Sequence, residues 1–131
     1  MIVIDSSALI AIINREPERP HFLDLIAAAD RRLISAATLL EAKMVVLGRF
    51  GPDAVADFMM LMEEMAPDIV PLDAALVDAA FAAFERFGKG RHSKAALNFC
   101  DCIAYALAKT LSAPLLFKGL DFSETDVQVC A

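Results

Sequence analysis

Four carboxylates hold the chemical promise of this chain: Asp5, Glu41, Asp101 and Asp121. Asp5 closes the run Met1-Ile2-Val3-Ile4 and is followed by Ser6 and Ser7. An apolar run without polar alternation reads as a strand buried on both faces, as in the middle of a parallel sheet. Such a strand has no water for an ionised acid, so Asp5 belongs at its carboxyl end, the edge where open α/β sheets bind ligands. Glu41 falls in the first turn of the helix after the second strand, and Asp121 follows the fourth strand in Lys118-Gly119-Leu120-Asp121-Phe122. Asp5, Glu41 and Asp121 thus follow strands directly or by a short connection, and a parallel sheet brings them to one edge. Asp101 lies within an apolar helix, in line with Leu97, Ala104 and Ala108, and joins the others only if its helix begins near that edge. Clustered carboxylates repel, and a hard divalent ion relieves the repulsion. Mg²⁺ takes oxygen ligands, needs one or two carboxylates, and keeps waters for substrate phosphates. The pattern points to a Mg²⁺ or Mn²⁺ site acting on phosphate esters.

Each acid also has a plainer use. Asp5 or a neighbouring serine suits the N-cap of a helix over Ala8-Leu9-Ile10-Ala11-Ile12-Ile13. Glu41 has capping-box spacing from Thr38, and Asp121 suits a turn. Asp101 is the hardest to assign to scaffolding, because a carboxylate among Cys100, Cys102 and Ile103 is costly to desolvate without a compensating cation or donor.

The elements that must position these acids follow in order. A helix after the first strand ends near Asn14, and Pro20 suits the first turn of the next, whose apolar face is Phe22, Leu25, Ile26 and Ala29. Leu33-Ile34-Ser35 reads as a short strand. The helix opened by Thr38 carries Leu40, Met44 and Leu47 on one face and breaks at Gly51-Pro52. The helix after it carries Val55, Phe58, Met59, Met62 and Met65, a stripe expected to serve mainly as core. Asp68-Ile69-Val70-Pro71 reads as a third strand. Asp73 caps a helix with Val77, Phe81, Phe84 and Phe87 packing inward and Gly88 ending it. The last long helix is expected from about Ala95 to Leu111. Pro114 to Phe117 and Val127 to Val129 complete the strands. Strands alternating with helices give an α/β fold with a mainly parallel sheet.

At 131 residues the chain fits one domain, 1–131. Its hydrophobic content is 58%, above the ~45–50% usual for globular chains. No apolar run approaches the ~18 residues of a membrane span, so the surplus points to a dense core plus an apolar interface with a second copy or a partner protein. No basic, apolar leader precedes the first strand, which suggests a cytoplasmic protein. Cys100, Cys102 and Cys130 form neither a CxxC motif nor an even set, and are expected to be small core residues rather than disulfide or zinc ligands. The net charge of −6 has the wrong sign for a general nucleic-acid binder, so any such role rests on local cations and bound metal.

With these residues in place, the chain resembles a PIN-domain ribonuclease of the VapC toxin type. The likeness runs through Val3-Ile4-Asp5-Ser6-Ser7-Ala8-Leu9, then Ser35-Ala36-Ala37-Thr38-Leu39-Leu40-Glu41-Ala42. It continues in Leu97-Asn98-Phe99-Cys100-Asp101-Cys102 with Ala104 to Ala108, and in Gly119-Leu120-Asp121-Phe122 with Thr125-Asp126. Cys100 stands where the family often has glycine. The resemblance implies a three-layer α/β/α sandwich, with Asp5, Glu41, Asp101 and Asp121 as the acidic site and Asp5 and Asp101 nearest a Mg²⁺ or Mn²⁺ ion. It implies metal-assisted hydrolysis of RNA phosphodiesters, with Ser6, Ser7 and Thr38 orienting carboxylates or water and Asp126 in support. It further implies a homodimer or higher homo-oligomer and an antitoxin protein as partner. The alternative is a non-catalytic or phosphoryl-accepting signalling domain. Aspartate-nucleophile phosphatases, however, need a second Asp two residues on, where this chain has Ser7.

The basic loop Lys89-Gly90-Arg91-His92-Ser93-Lys94 has two readings, a phosphate contact made with Arg86 or a solvated loop at a helix C-terminus, where cations are favoured anyway. If it holds RNA, replacing Lys89 and Arg91 by alanine lowers affinity and flattens the plot of log affinity against log salt by roughly one unit per lost contact. A titration of RNA binding across salt concentrations measures this, and an unchanged slope returns the loop to the solvated class.

Overall fold

Each central strand divides its side chains between two helical layers. In the computed structural model, which describes residues 1–131, Val3 of β1 (Ile2–Ile4) points into one core while Ile2 and Ile4 point into the other. Leu33 and Ile34 of β2 (Arg32–Ser35) split in the same way, as do the two leucines of β4 (Leu115–Leu116). With β3 (Asp68–Val70) these strands form one sheet in the order β3-β2-β1-β4, every pairing parallel. Val3 is the hinge of the register, lying opposite both Leu33 and Leu115.

Helices α1 (Ser6–Ile13), α2 (Arg19–Ala28), α3 (Ala36–Phe50) and α4 (Pro52–Met65) supply the core on the first face, through Leu9, Ile12, Phe22, Ile26, Val46 and Phe58. Helices α5 (Ala74–Phe87) and α6 (Phe99–Thr110) cover the second face. The result is the expected three-layer α/β/α sandwich with a parallel central sheet.

Several local expectations are corrected. The last helix begins at Phe99, not Ala95, because Asn98 caps it and Leu97 instead pairs with Gly88 across a parallel bridge. Helix α3 is opened by Ser35, whose hydroxyl accepts from the Ala37 amide, not by a Thr38–Glu41 capping box. The final strand shrinks to one bridge, Leu115 to Val129. On α5, Val77, Phe81 and Phe84 face outward against expectation, while Phe87 packs inward as expected beside Leu76, Ala80 and Ala83. The shared face of Leu40, Met44 and Leu47 on α3 is the outward one, and that helix buries Ala42 and Val46. The α5 residues buried in the second core include the small Ala80 and Ala83, and the close helix approach that small residues permit leaves Val77, Phe81 and Phe84 outside. The methionine stripe is divided, with Phe58 and Met65 buried and Met59 exposed. Of the cysteines only Cys102 is fully buried.

Phe58 is 0% exposed and Phe81 63% exposed, so the two phenylalanines should respond oppositely to truncation. Phe58→Ala is expected to lower stability by about 3–5 kcal/mol, and Phe81→Ala by no more than about 0.5 kcal/mol. Urea unfolding of the two variants beside the parent protein checks the contrast.

Candidate active site

The strand order fixes where a crevice opens. The chain starts in β1, steps outward to β2 and β3, and returns to lay β4 on the other side of β1. At such a reversal the connections leave the sheet in opposite directions, and a cleft opens beyond the carboxyl ends of the two strands. Asp5 is the first residue past β1, and Asp121 lies in the turn after β4.

Asp5 is 3% exposed and caps α1, the plainer of the two uses foreseen for it. The Ser7 amide and hydroxyl donate to the same oxygen, Oδ2, at 3.0 and 2.6 Å, and Oδ1 takes no protein donor. Burial pushes the Asp5 carboxyl up to about 6, against the pull of the two Ser7 bonds, and the Asp101 and Glu41 charges add to the rise.

Asp101 is the third residue of α6, and its placement depends on the helix starting late. Asn98 Oδ1 accepts from the Asp101 amide at 2.9 Å, and Asp101 Oδ2 accepts from the Asn98 amide at 3.0 Å, a reciprocal capping box. Asp101 is 9% exposed, and its carboxyl is raised by burial first, lowered by the Asn98 bond, and raised again by Asp121 and Glu41. Asn98 was not singled out as a site residue from the sequence, although the Asn-x-x-Asp spacing that reveals it is legible there.

Glu41 sits in the second turn of α3, half-buried, and Asp121 is exposed. The four acids are thus near enough for Asp5 to feel Asp101 and Glu41, and for Asp101 to feel Glu41 and Asp121. No three of them stand close enough to grip one ion unaided. That spacing fits a hard ion that keeps several waters and takes only one or two carboxylates directly. A further polar group is buried in the first turn of α3: Thr38 is 1% exposed and its hydroxyl has no hydrogen-bond partner. It precedes Glu41 by three residues, on the same side of the helix. Burial pushes the neighbouring Cys100 thiol up to about 12, aided by Glu41, Asp101 and Asp5, so it stays protonated in the metal-free chain.

Other expected residues lie elsewhere. Ser6 makes no side-chain hydrogen bond, and Ser7 holds Asp5 instead. Asp126 is engaged away from the acidic edge, accepting from the Tyr105 hydroxyl and pairing with Arg86 at 3.3 Å and Lys109 at 3.2 Å. The Tyr105 bond, then the two cations, hold its carboxyl below the usual range. His92 closes its own loop: Nδ1 accepts the Lys94 and Ala95 amides at 3.0 and 2.9 Å, and the ring packs 5.6 Å from that of Phe87. Lys89 and Arg91 are exposed.

A model of the PIN domain matches residues 2–128. The chain belongs to the PIN-domain family. A relative from Mycobacterium tuberculosis, ribonuclease VapC30, is 42% identical over 130 residues, spanning 99% of this chain and 98% of its own, which sets this PIN domain in the VapC branch. Among solved structures, Mycobacterium tuberculosis VapC20, described as a toxin cleaving the sarcin-ricin loop, has a TM-score of 0.78 at 18% identity, covering 97% of this chain and 96% of its own. VapBC2 from Rickettsia felis, bound to a promoter DNA fragment, has a TM-score of 0.75 at 15% identity, with 98% and 96% covered. At these identities the structures speak for the fold.

The buried Asp5 has a consequence for stability. Its raised folded pKa means that the folded chain holds the proton more tightly than the unfolded chain does. That stabilisation is complete below the ordinary value of 3.8 and is lost as pH rises through about 6. At roughly 1.4 kcal/mol per unit the loss is on the order of 3 kcal/mol by neutral pH. Asp5→Asn, which keeps an acceptor for Ser7, should therefore melt several degrees above the parent near neutral pH in chelator, and the two curves should converge in acid. Melting temperatures across the pH range test this, and equal values near neutrality would contradict it.

Proposed function

We propose that this PIN domain, acting as one domain over residues 1–131, is a Mg²⁺- or Mn²⁺-dependent ribonuclease and the toxin of a toxin–antitoxin pair. The observation that carries the reading is the pair of buried carboxylates, Asp5 and Asp101, each with Oδ2 tied to a protein donor and Oδ1 left free beside two further acids. In this reading Asp5 and Asp101 hold the ion directly, and Glu41 and Asp121 bind its waters. A bound divalent ion would lower the pKa of a water and stabilise charge on the phosphate oxygens.

The chain's own residues supply the rest. The N-terminus of α6 carries partial positive charge, which favours the Asp101 carboxylate and an incoming phosphate alike. Glu41 takes the proton of the attacking water, with the Thr38 hydroxyl orienting it. Lys89 and Arg91 meet the RNA backbone, while His92 shapes their loop. The VapBC structural neighbour supports an antitoxin partner, and an antitoxin arginine would find a bidentate acceptor at the acidic edge. The outward apolar stripes of α3 and α5 suit a homodimer. No helix is long and apolar enough to cross a membrane, and an RNA substrate is in keeping with a cytoplasmic site of action.

Cleavage of RNA by the purified protein with Mg²⁺ or Mn²⁺, and none in chelator, is the expected outcome. Asp101→Asn should lower the rate by well over the ~10–100-fold typical of groups that only support metal ligands, with an unchanged circular dichroism spectrum. Parental cleavage by Asp101→Asn would overturn the site assignment.

A further inference from the structure

Ser7 stands between the two ends of the chain. Its hydroxyl lies 2.6 Å from Asp5 Oδ2 and 3.0 Å from the backbone nitrogen of Lys118, which is 111 residues away in sequence. A hydroxyl has one proton and two lone pairs. An ionised carboxylate can only accept and an amide can only donate, so both ends of this bridge are satisfied by one rotor setting. Lys118 opens the segment Lys118-Gly119-Leu120-Asp121, which turns at Gly119 with φ of 101° and delivers Asp121. The Lys118 side chain is committed elsewhere, to Glu16 and, at 3.1 Å, to Glu18, so the loop is anchored on both sides.

We propose that Ser7 is a positioning residue that sets two acids at once, fixing which oxygen of Asp5 is free and clamping the loop that carries Asp121. Both Ser7 donors occupy Oδ2, which leaves Oδ1 to face a metal. Clamping the loop holds Asp121 within electrostatic range of Asp101, where its charge is felt. Neighbouring Ser6 has no such bond, so the function belongs to the second serine of the pair. Removing the hydroxyl takes one donor from a buried carboxylate and orphans the Lys118 amide.

The metal-facing half of this inference rests on the nuclease reading, while the clamp itself does not. The first measurement is therefore amide hydrogen exchange of the metal-free full chain. Ser7→Ala should speed exchange at Lys118 at least about tenfold while Ser7→Thr leaves it as in the parent. Ser7→Cys nearly keeps the side-chain volume, replaces the oxygen that accepts the Lys118 amide with a weakly accepting sulfur, and should fall between them. Parent-like exchange at Lys118 in Ser7→Ala or in Ser7→Cys overturns the clamp. The second measurement is Mn²⁺ binding by calorimetry, expected about tenfold weaker in Ser7→Ala and restored in Ser7→Thr. The third is a double-mutant cycle on cleavage, in which Asp121→Asn costs less in the Ser7→Ala background than alone, with kcat moving and the KM for RNA unchanged. Multiplicative effects would show that Ser7 does not set Asp121. If the parent cuts no RNA with either ion, the nuclease reading falls, and the Lys118 exchange result still decides the clamp.

Discussion

A carboxylate at the blind end of a fully buried strand is the constraint around which this molecule is arranged. Ile2, Val3 and Ile4 are buried on both faces, so the chain leaves β1 deep inside the protein with Asp5 still 3% exposed. An ionised acid in such a place needs donors, a cation or a proton. The protein supplies donors through Ser7, but burial still outweighs them and the carboxyl is pushed up to about 6. The nearby Asp101 and Glu41 raise it further rather than relieving it. A carboxylate placed this way is strained in its charged form without a counter-charge.

The same atoms serve fold and site. Asp5 caps α1, and Asp101 closes the capping box of α6. Each helix start thus consumes one oxygen of its carboxylate and fixes the orientation of the other. Helix N-termini also favour negative charge, which partly offsets the desolvation of both acids. In the proposed site, capping and chemistry are therefore not rival uses of these residues, because the cap that the scaffold needs also holds each acid rigid.

The apolar surplus of the composition is resolved by position. Small residues such as Ala80 and Ala83 of α5 let the helices come together, and Val77, Phe81 and Phe84 are left outside. With Leu72, Phe99, Cys102 and Ile103, the outward residues Val77, Phe81 and Phe84 line an apolar groove of about 310 Å³. Phe99 is the first residue of α6, two positions from Asp101. The groove and the acidic edge thus share one helix start, so whatever covers the groove lies close to the site.

Residue chemistry and order alone determined the α/β class, the parallel sheet, and the placement of Asp5 and Asp121 beyond the ends of the sheet's first and last strands in chain order. Those features follow from local apolar runs and from the connectivity of strand and helix, both of which a linear sequence contains. The cap at Asp73 was equally legible, because a cap acts within three residues. Tertiary structure decided what depends on distant neighbours. Which of two apolar stripes on α3 and α5 faces inward is set by how closely the next element can approach, and periodicity is the same for both. The start of α6 at Phe99 depends on Leu97 pairing with Gly88. Asp126 was drawn from the acidic site by Tyr105, Arg86 and Lys109, and His92 from a surface role by the amides of its own loop. Ser7 rather than Ser6 holds Asp5 because only the second serine, one step into the first turn of α1, reaches both that carboxylate and the Lys118 amide arriving from the far end of the chain.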